Sequence, residues 1–110
     1  MMYLDFNAGG KEYKLRLNTR NIVALEKELG CNPLGIFGKG DTIPTTTSMV
    51  AVLHAALQQY QSNISMNEAY KIFDAYIEDG NTTTDFLNVI IEIYTVSGII
   101  NKELLDNEKN

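Results

Sequence analysis

The side chains able to carry chemistry are few and scattered. His54 is the single histidine and Cys31 the single cysteine. On a helix, the neighbours of His54 at positions 50, 51, 57 and 58 are Val, Ala, Leu and Gln. None of them is a catalytic partner. A Cys31–His54 dyad would also need an orienting group and an oxyanion site, and neither is supplied locally. One histidine with one cysteine does not make a zinc site. Asp74 and Glu78 lie four apart with Lys71 on the same side, the pattern of a solvated helix face. Asp79-Gly80-Asn81 has a faint calcium-loop character but lacks the later ligand positions and the closing Glu. The glycines at 35, 38 and 40 do not have phosphate-loop spacing and follow no strand. The expectation is therefore a protein without catalytic, metal or cofactor site, acting through its surface.

One segment stands out for binding. Ile36 and Phe37 sit in a glycine-rich stretch where no local pattern buries them, so they are candidate anchors for a partner. Ile99, Ile100 and Leu104 extend an apolar pattern past the last long helix and are candidates for the same role. The region 35–45 is expected to be the least ordered internal segment, because its glycines raise the entropy of the free loop.

The elements that must position these residues can be read from the pattern. Residues 2–17 alternate in polarity around Asn7-Ala8-Gly9-Gly10-Lys11, which predicts a β-hairpin with a loop of about five residues. Asp5 would face Lys14 or Arg16 across it. Such a ribbon is marginal alone and must rest on helices or on another subunit. Asn18 or Thr19 caps a helix over about 20–29 that Gly30 ends. Asn32-Pro33 starts a short turn carrying Leu34, Ile36 and Phe37.

A helix over about 46–61 carries Met49, Val52, Leu53, Ala56, Leu57 and Tyr60 on one stripe. Ser65-Met66-Asn67-Glu68 reads as a capping box for a helix over about 66–79 with the stripe Ala69, Tyr70, Phe73, Tyr76, Ile77. Thr82 or Thr83 caps the last helix, over about 83–97. It is apolar nearly all round, which predicts a central position or an interface. The end beyond Asp106, residues 106–110, is expected to fray. The fold class is α+β, mainly α, in the order ββα-loop-ααα, as a single domain over residues 1–110.

Charge narrows the function further. The chain has 110 residues and a formal charge of −5. Residues 1–27 hold five basic and three acidic side chains, while the remainder holds four basic and eleven acidic ones. An acidic body repels phosphate backbones, which argues against nucleic-acid binding. The asymmetry favours head-to-tail encounter between copies. The apolar run from Phe86 to Ile100 is interrupted by Asn88, Glu92, Thr95 and Ser97, too short and polar to span a membrane. No secretory leader is visible at the N-terminus.

The run Gly10-Lys11-Glu12-Tyr13-Lys14-Leu15-Arg16-Leu17-Asn18-Thr19-Arg20, then Leu25-Glu26-Lys27-Glu28-Leu29-Gly30, then Asn32-Pro33-Leu34, resembles tail assembly chaperones of long-tailed phages and prophages of Gram-positive bacteria. Leu53-His54-Ala55-Ala56-Leu57, the tyrosine-rich helix ending in Gly80, and the final helix running into Ser97-Gly98 are similar too. The resemblance implies a protein of the host cytoplasm that is absent from the mature virion. It implies binding to the tape measure protein, with the tail tube protein as a second candidate partner, and self-association into a ring or spiral. It also implies that a programmed frameshift often makes a longer product. The family has no residue-level active site to carry over. The rival reading from charge and size alone is a small acidic regulator that inhibits a DNA-binding partner.

Overall fold

A computed structural model describes residues 2–38 and 43–101. The chain forms strands β1 (Leu4–Ala8) and β2 (Lys11–Leu15), then helix α1 (Thr19–Leu29), a 3-10 turn (Pro33–Phe37), and helices α2 (Thr46–Leu57), α3 (Met66–Glu78) and α4 (Thr83–Val96). An antiparallel hairpin followed by four α-helices, with a 3-10 turn between the first two, is the α+β order the sequence predicts.

The hairpin is tighter than expected. Its connection is the two residues Gly9 and Gly10, both at positive φ (60° and 79°), rather than a loop of five. A two-residue turn of this hand demands positive φ at both positions, which glycine meets without steric cost. The register pairs Asp5 with Lys14 and Phe6 with Tyr13. The Lys14 ammonium lies 5.1 Å from the centre of the Tyr3 ring.

The ribbon rests on the helices of its own chain. The Gln61 carboxamide takes the place of a third strand: its oxygen accepts from the Lys14 N–H (2.8 Å) and its nitrogen donates to the Lys14 carbonyl (2.9 Å). Arg16 N–H donates to the Ala56 carbonyl at the end of α2, and Leu17 N–H to the Ser97 hydroxyl at the end of α4. These bonds satisfy backbone groups that would otherwise leave an open sheet edge.

The caps follow the sequence. Asn18, Asn32, Ser65 and Thr82 each accept from a backbone N–H three residues on. Gly30 ends α1 in the left-handed conformation. The reciprocal capping box forms at Thr82 and Asp85, whereas the Glu68 carboxylate reaches only the Ser65 hydroxyl. One helix boundary is corrected. The second helix stops at Leu57 instead of about 61, because residues 58–62 turn back so that Gln61 can reach β2. The others differ by one residue. The fraying expected for 106–110 falls outside the described residues.

The central element is α2, not α4. From Met49 to Leu57 every residue except His54 is buried, and α2 packs against α1, α3, α4 and β2. Ala51, Ala55 and Ala56 are buried alongside the larger side chains of α2. On α4, Phe86, Ile90, Ile93 and Tyr94 are buried while Leu87, Ile91 and Val96 keep partial exposure.

Candidate functional site

The 3-10 turn carries the two anchor candidates Ile36 and Phe37, and both pack inward in the isolated chain. Ile36 is 8% exposed and belongs to the core. Phe37 is half-buried, with its ring edge-to-face against Tyr94 at 6.3 Å. The partner that the sequence could not show is Tyr94, fully buried, whose hydroxyl donates to the Pro33 carbonyl at 2.8 Å. Burial pushes this phenol far above the usual tyrosine range, and Cys31 adds to the shift. The turn is thus a lid fastened to α4. Its exposed apolar residue is Leu34. The expectation that 35–45 is the least ordered internal segment falls partly on 39–42, outside the described residues.

The other candidates are distributed differently. Ile99 and Ile100 are half-buried against the core, and both backbone N–H groups reach the Tyr94 carbonyl. Leu104 lies outside the described residues. Cys31 is exposed and sits over Gly35, where a Cβ would fall 2.9 Å from its Sγ. A larger residue at 35 would therefore require the Cys31 side chain to shift.

His54 is half-buried and lines a cleft of ≈ 170 Å³ between α1 and α2 together with Asn21, Glu28 and Gln58. The fold thus brings His54 and Glu28 to one cleft, a juxtaposition that helix spacing alone does not reveal. No serine, threonine, lysine or cysteine lines the cleft, so Cys31 is not brought to His54. Among the described residues no cluster of three His, Cys, Asp or Glu side chains is placed to hold a metal.

The larger concavity, ≈ 360 Å³, lies between the hairpin and α3. Its walls are apolar: Ala8, Tyr13, Ile64, Ile72 and Ala75. Lys11, Lys71 and Glu68 stand at its mouth, all exposed. The groove is preformed. Gly9 lies so close to α3 that an added Cβ would fall 3.1 Å from the Ala75 Cβ, and Gly9 N–H donates to the Asp79 carboxylate at 2.8 Å. Beneath it, Phe6, Phe73, Tyr76 and Phe86 form one aromatic cluster with ring centres 5.0–6.0 Å apart. Burial also raises the Tyr76 phenol pKa, with the Asp85 carboxylate adding to it.

An apolar groove with charged side chains at its mouth is a surface of the kind that receives apolar side chains of a ligand. Residues 5–109 match one family model, DUF6096, described as a family of unknown function. The chain belongs to this family. No curated protein and no solved structure matches it. DUF6096 therefore takes in both the hairpin and all the helices that build the groove, and its description assigns them no activity.

Sequence reasoning missed the groove because its walls come from residues 8–13 and 64–75, which no local pattern connects. The only early signal was Lys71, a base on an otherwise acidic helix.

Proposed function

We propose that this DUF6096 chain is a tail assembly chaperone of a long-tailed phage or prophage, holding the tape measure protein soluble until the tail tube polymerises around it. The observation that carries the reading is the resemblance over residues 10–34. Those residues form one continuous unit here: β2, α1 with its Gly30 stop, and the start of the turn that locks onto Tyr94.

The physical features agree with such a role. A long helical client exposes apolar stripes, and a preformed apolar groove with charged side chains at its mouth covers side chains of that kind. Val23, Leu34, Tyr60 and Tyr70 add apolar area that a partner would cover. No step needs hydrolysis, since polymerising tube subunits displace the chaperone by competing for the same client. Among the described residues no helix is long and apolar enough to cross a membrane. The proposed site of action is the cytoplasm of the bacterial host, with the protein absent from the virion. Self-association into a ring or spiral is part of the proposal, as is a second contact with the tail tube protein.

Co-expression with the tape measure protein tests it. The expected result is a soluble complex recovered on the tagged chain, with the tape measure protein insoluble when expressed alone. An insoluble tape measure protein in both cases, with no complex, overturns the reading. Capture of a DNA-binding protein whose operator affinity falls on binding would favour the acidic-regulator alternative.

A further inference from the structure

The two edges of the hairpin are finished differently. With a two-residue turn, Ala8 and Lys11 exchange backbone hydrogen bonds. Along an antiparallel ladder such pairs alternate with pairs whose N–H and C=O point away from the partner strand. The outward pairs are therefore Asn7–Glu12 and Asp5–Lys14. On β2 the outward groups beyond Glu12 are held: Gln61 binds both backbone groups of Lys14, and Arg16 N–H reaches the Ala56 carbonyl. On β1 the Gly9 N–H is given to Asp79. The outward N–H and C=O groups of Asp5 and Asn7 have no partner among the described residues. Both residues are exposed, and β1 carries no proline, bulge or lysine to guard this edge.

An open edge of this kind accepts one more strand. A second copy can offer the same edge in antiparallel sense in three registers. If Asp5 faces Asp5, two carboxylates stand opposed. If Asn7 faces Asn7, Asp5 falls opposite Gly9, whose N–H is already committed to Asp79. If Asp5 faces Asn7 and Asn7 faces Asp5, every outward group of both residues finds a partner. Each carboxylate then also lies opposite a carboxamide that can donate to it. Strand β1 is thus complementary to itself in one register. We infer that β1 pairs with β1 of a second copy about a two-fold axis, joining the two hairpins into one antiparallel sheet in the order β2-β1-β1-β2.

The contact is isologous, so it closes at two copies. It turns a ribbon that is marginal by itself into a sheet of four strands. Phe6 and Ala8 stay in the core of their own copy, because pairing at the edge leaves the faces of the sheet unchanged. An interface this narrow belongs to the weak, reversible class. The inference does not rest on the chaperone reading, and it leaves the groove between the hairpin and α3 free for a client.

The test uses the full chain alone, from micromolar concentrations to about 1 mM. Sedimentation velocity reads association, and amide hydrogen exchange by NMR reads which backbone groups it covers. The wild type should dimerise as concentration rises, with exchange slowing at Asp5 and Asn7. Asn7→Asp opposes two carboxylate pairs and should weaken the dimer at least about tenfold. The exchanged pair, Asp5→Asn with Asn7→Asp, should restore it. Asn7→Pro removes an N–H that its own hairpin does not use, so it should abolish dimerisation. Thermal melting checks each variant, and the two Asp/Asn variants decide alone if the proline variant does not fold. A wild type that stays monomeric overturns the inference. So does association without slower exchange at Asp5 and Asn7, which places the contact on another face. An exchanged pair as weak as Asn7→Asp removes the register and overturns it too. Slower exchange at these amides only when the tape measure protein is added gives the edge to the client instead. None of these results decides the chaperone reading, which stands or falls on the solubility of the tape measure protein.

Discussion

Two surfaces built from turns meet different fates in this protein. The turn at 33–37 carries the more conspicuous apolar residues, yet it is closed: Ile36 is in the core, Phe37 leans on Tyr94, and the Tyr94 hydroxyl ties Pro33 down. The hairpin turn at 9–10 carries no apolar side chain at all, yet beside it the surface stays open as a groove. What separates them is the partner each finds in the fold. The first turn meets a large aromatic on α4 that fills the space beneath it. The second meets Ala75, which is too small to fill the space, and a carboxylate that holds the turn at a fixed height. Apolar residues in a loop are therefore weak evidence of a binding site, and small residues facing each other across an interface are better evidence.

The comparison breaks most visibly at Tyr94. Tyr94→Ala removes a fully buried ring, the Phe37 contact and the bond to Pro33 together. The expected loss is about 3–5 kcal/mol, read by urea unfolding. A loss near zero would mean that the turn at 33–37 is not fastened to α4. The pH dependence gives a second handle. The folded phenol keeps its proton to higher pH than an unfolded tyrosine, whose pKa is near 10.0. Above about pH 10 the folded chain therefore binds more protons than the unfolded one, and stability is lost as pH rises. Tyr94→Phe should flatten that decline without abolishing it, since the Tyr76 phenol is raised as well.

Gly9→Ala tests the open side with a smaller effect. The substitution places a side chain at φ 60° and within 3.1 Å of the Ala75 Cβ. Left-handed backbone costs a non-glycine residue about 1–2 kcal/mol, and the close contact adds to it. The expected readouts are a lower melting temperature and a changed amide environment for Ala75. Melting equal to the wild type would show that hairpin and α3 are not in the described contact.

Much of this frame was legible because it is local. Caps at Asn32 and Ser65, the stop at Gly30, and one of the two cap residues offered at 18–19 and at 82–83 all follow from residues a few positions apart, whereas the hairpin register was left open between Lys14 and Arg16 for Asp5 and the turn proved shorter than expected. The central helix was not legible, because α2 is buried nearly all round partly through small residues, Ala51, Ala55 and Ala56, which stand out less in the pattern than the large side chains of α4. Nor was the Gln61 clamp on Lys14, which joins residues 47 positions apart. The groove belongs to the same class of feature: its walls are distant in sequence, so only the fold brings them together.

Asp79 offers the finest test of the contrast. Its carboxylate accepts from Gly9 N–H at 2.8 Å across 70 positions of sequence, in an exposed setting. In water that bond competes with solvent, so Asp79→Ala should cost less than about 1 kcal/mol of stability, near the limit of measurement. Its effect should appear elsewhere. Without the carboxylate the Gly9 amide loses its acceptor, and hydrogen exchange at Gly9 should quicken while exchange in α2 stays as it was. The hairpin turn would then move against Ala75, and the groove would lose its fixed width. A binder selected by a preformed groove becomes weaker when the groove must first be ordered, even though nothing in the contact itself has changed. The expected outcome is therefore near-normal melting together with measurably weaker binding of the tape measure protein. Normal melting with normal binding would mean that the turn is held by Gly9–Ala75 packing alone, and that the carboxylate is an accessory of the helix end.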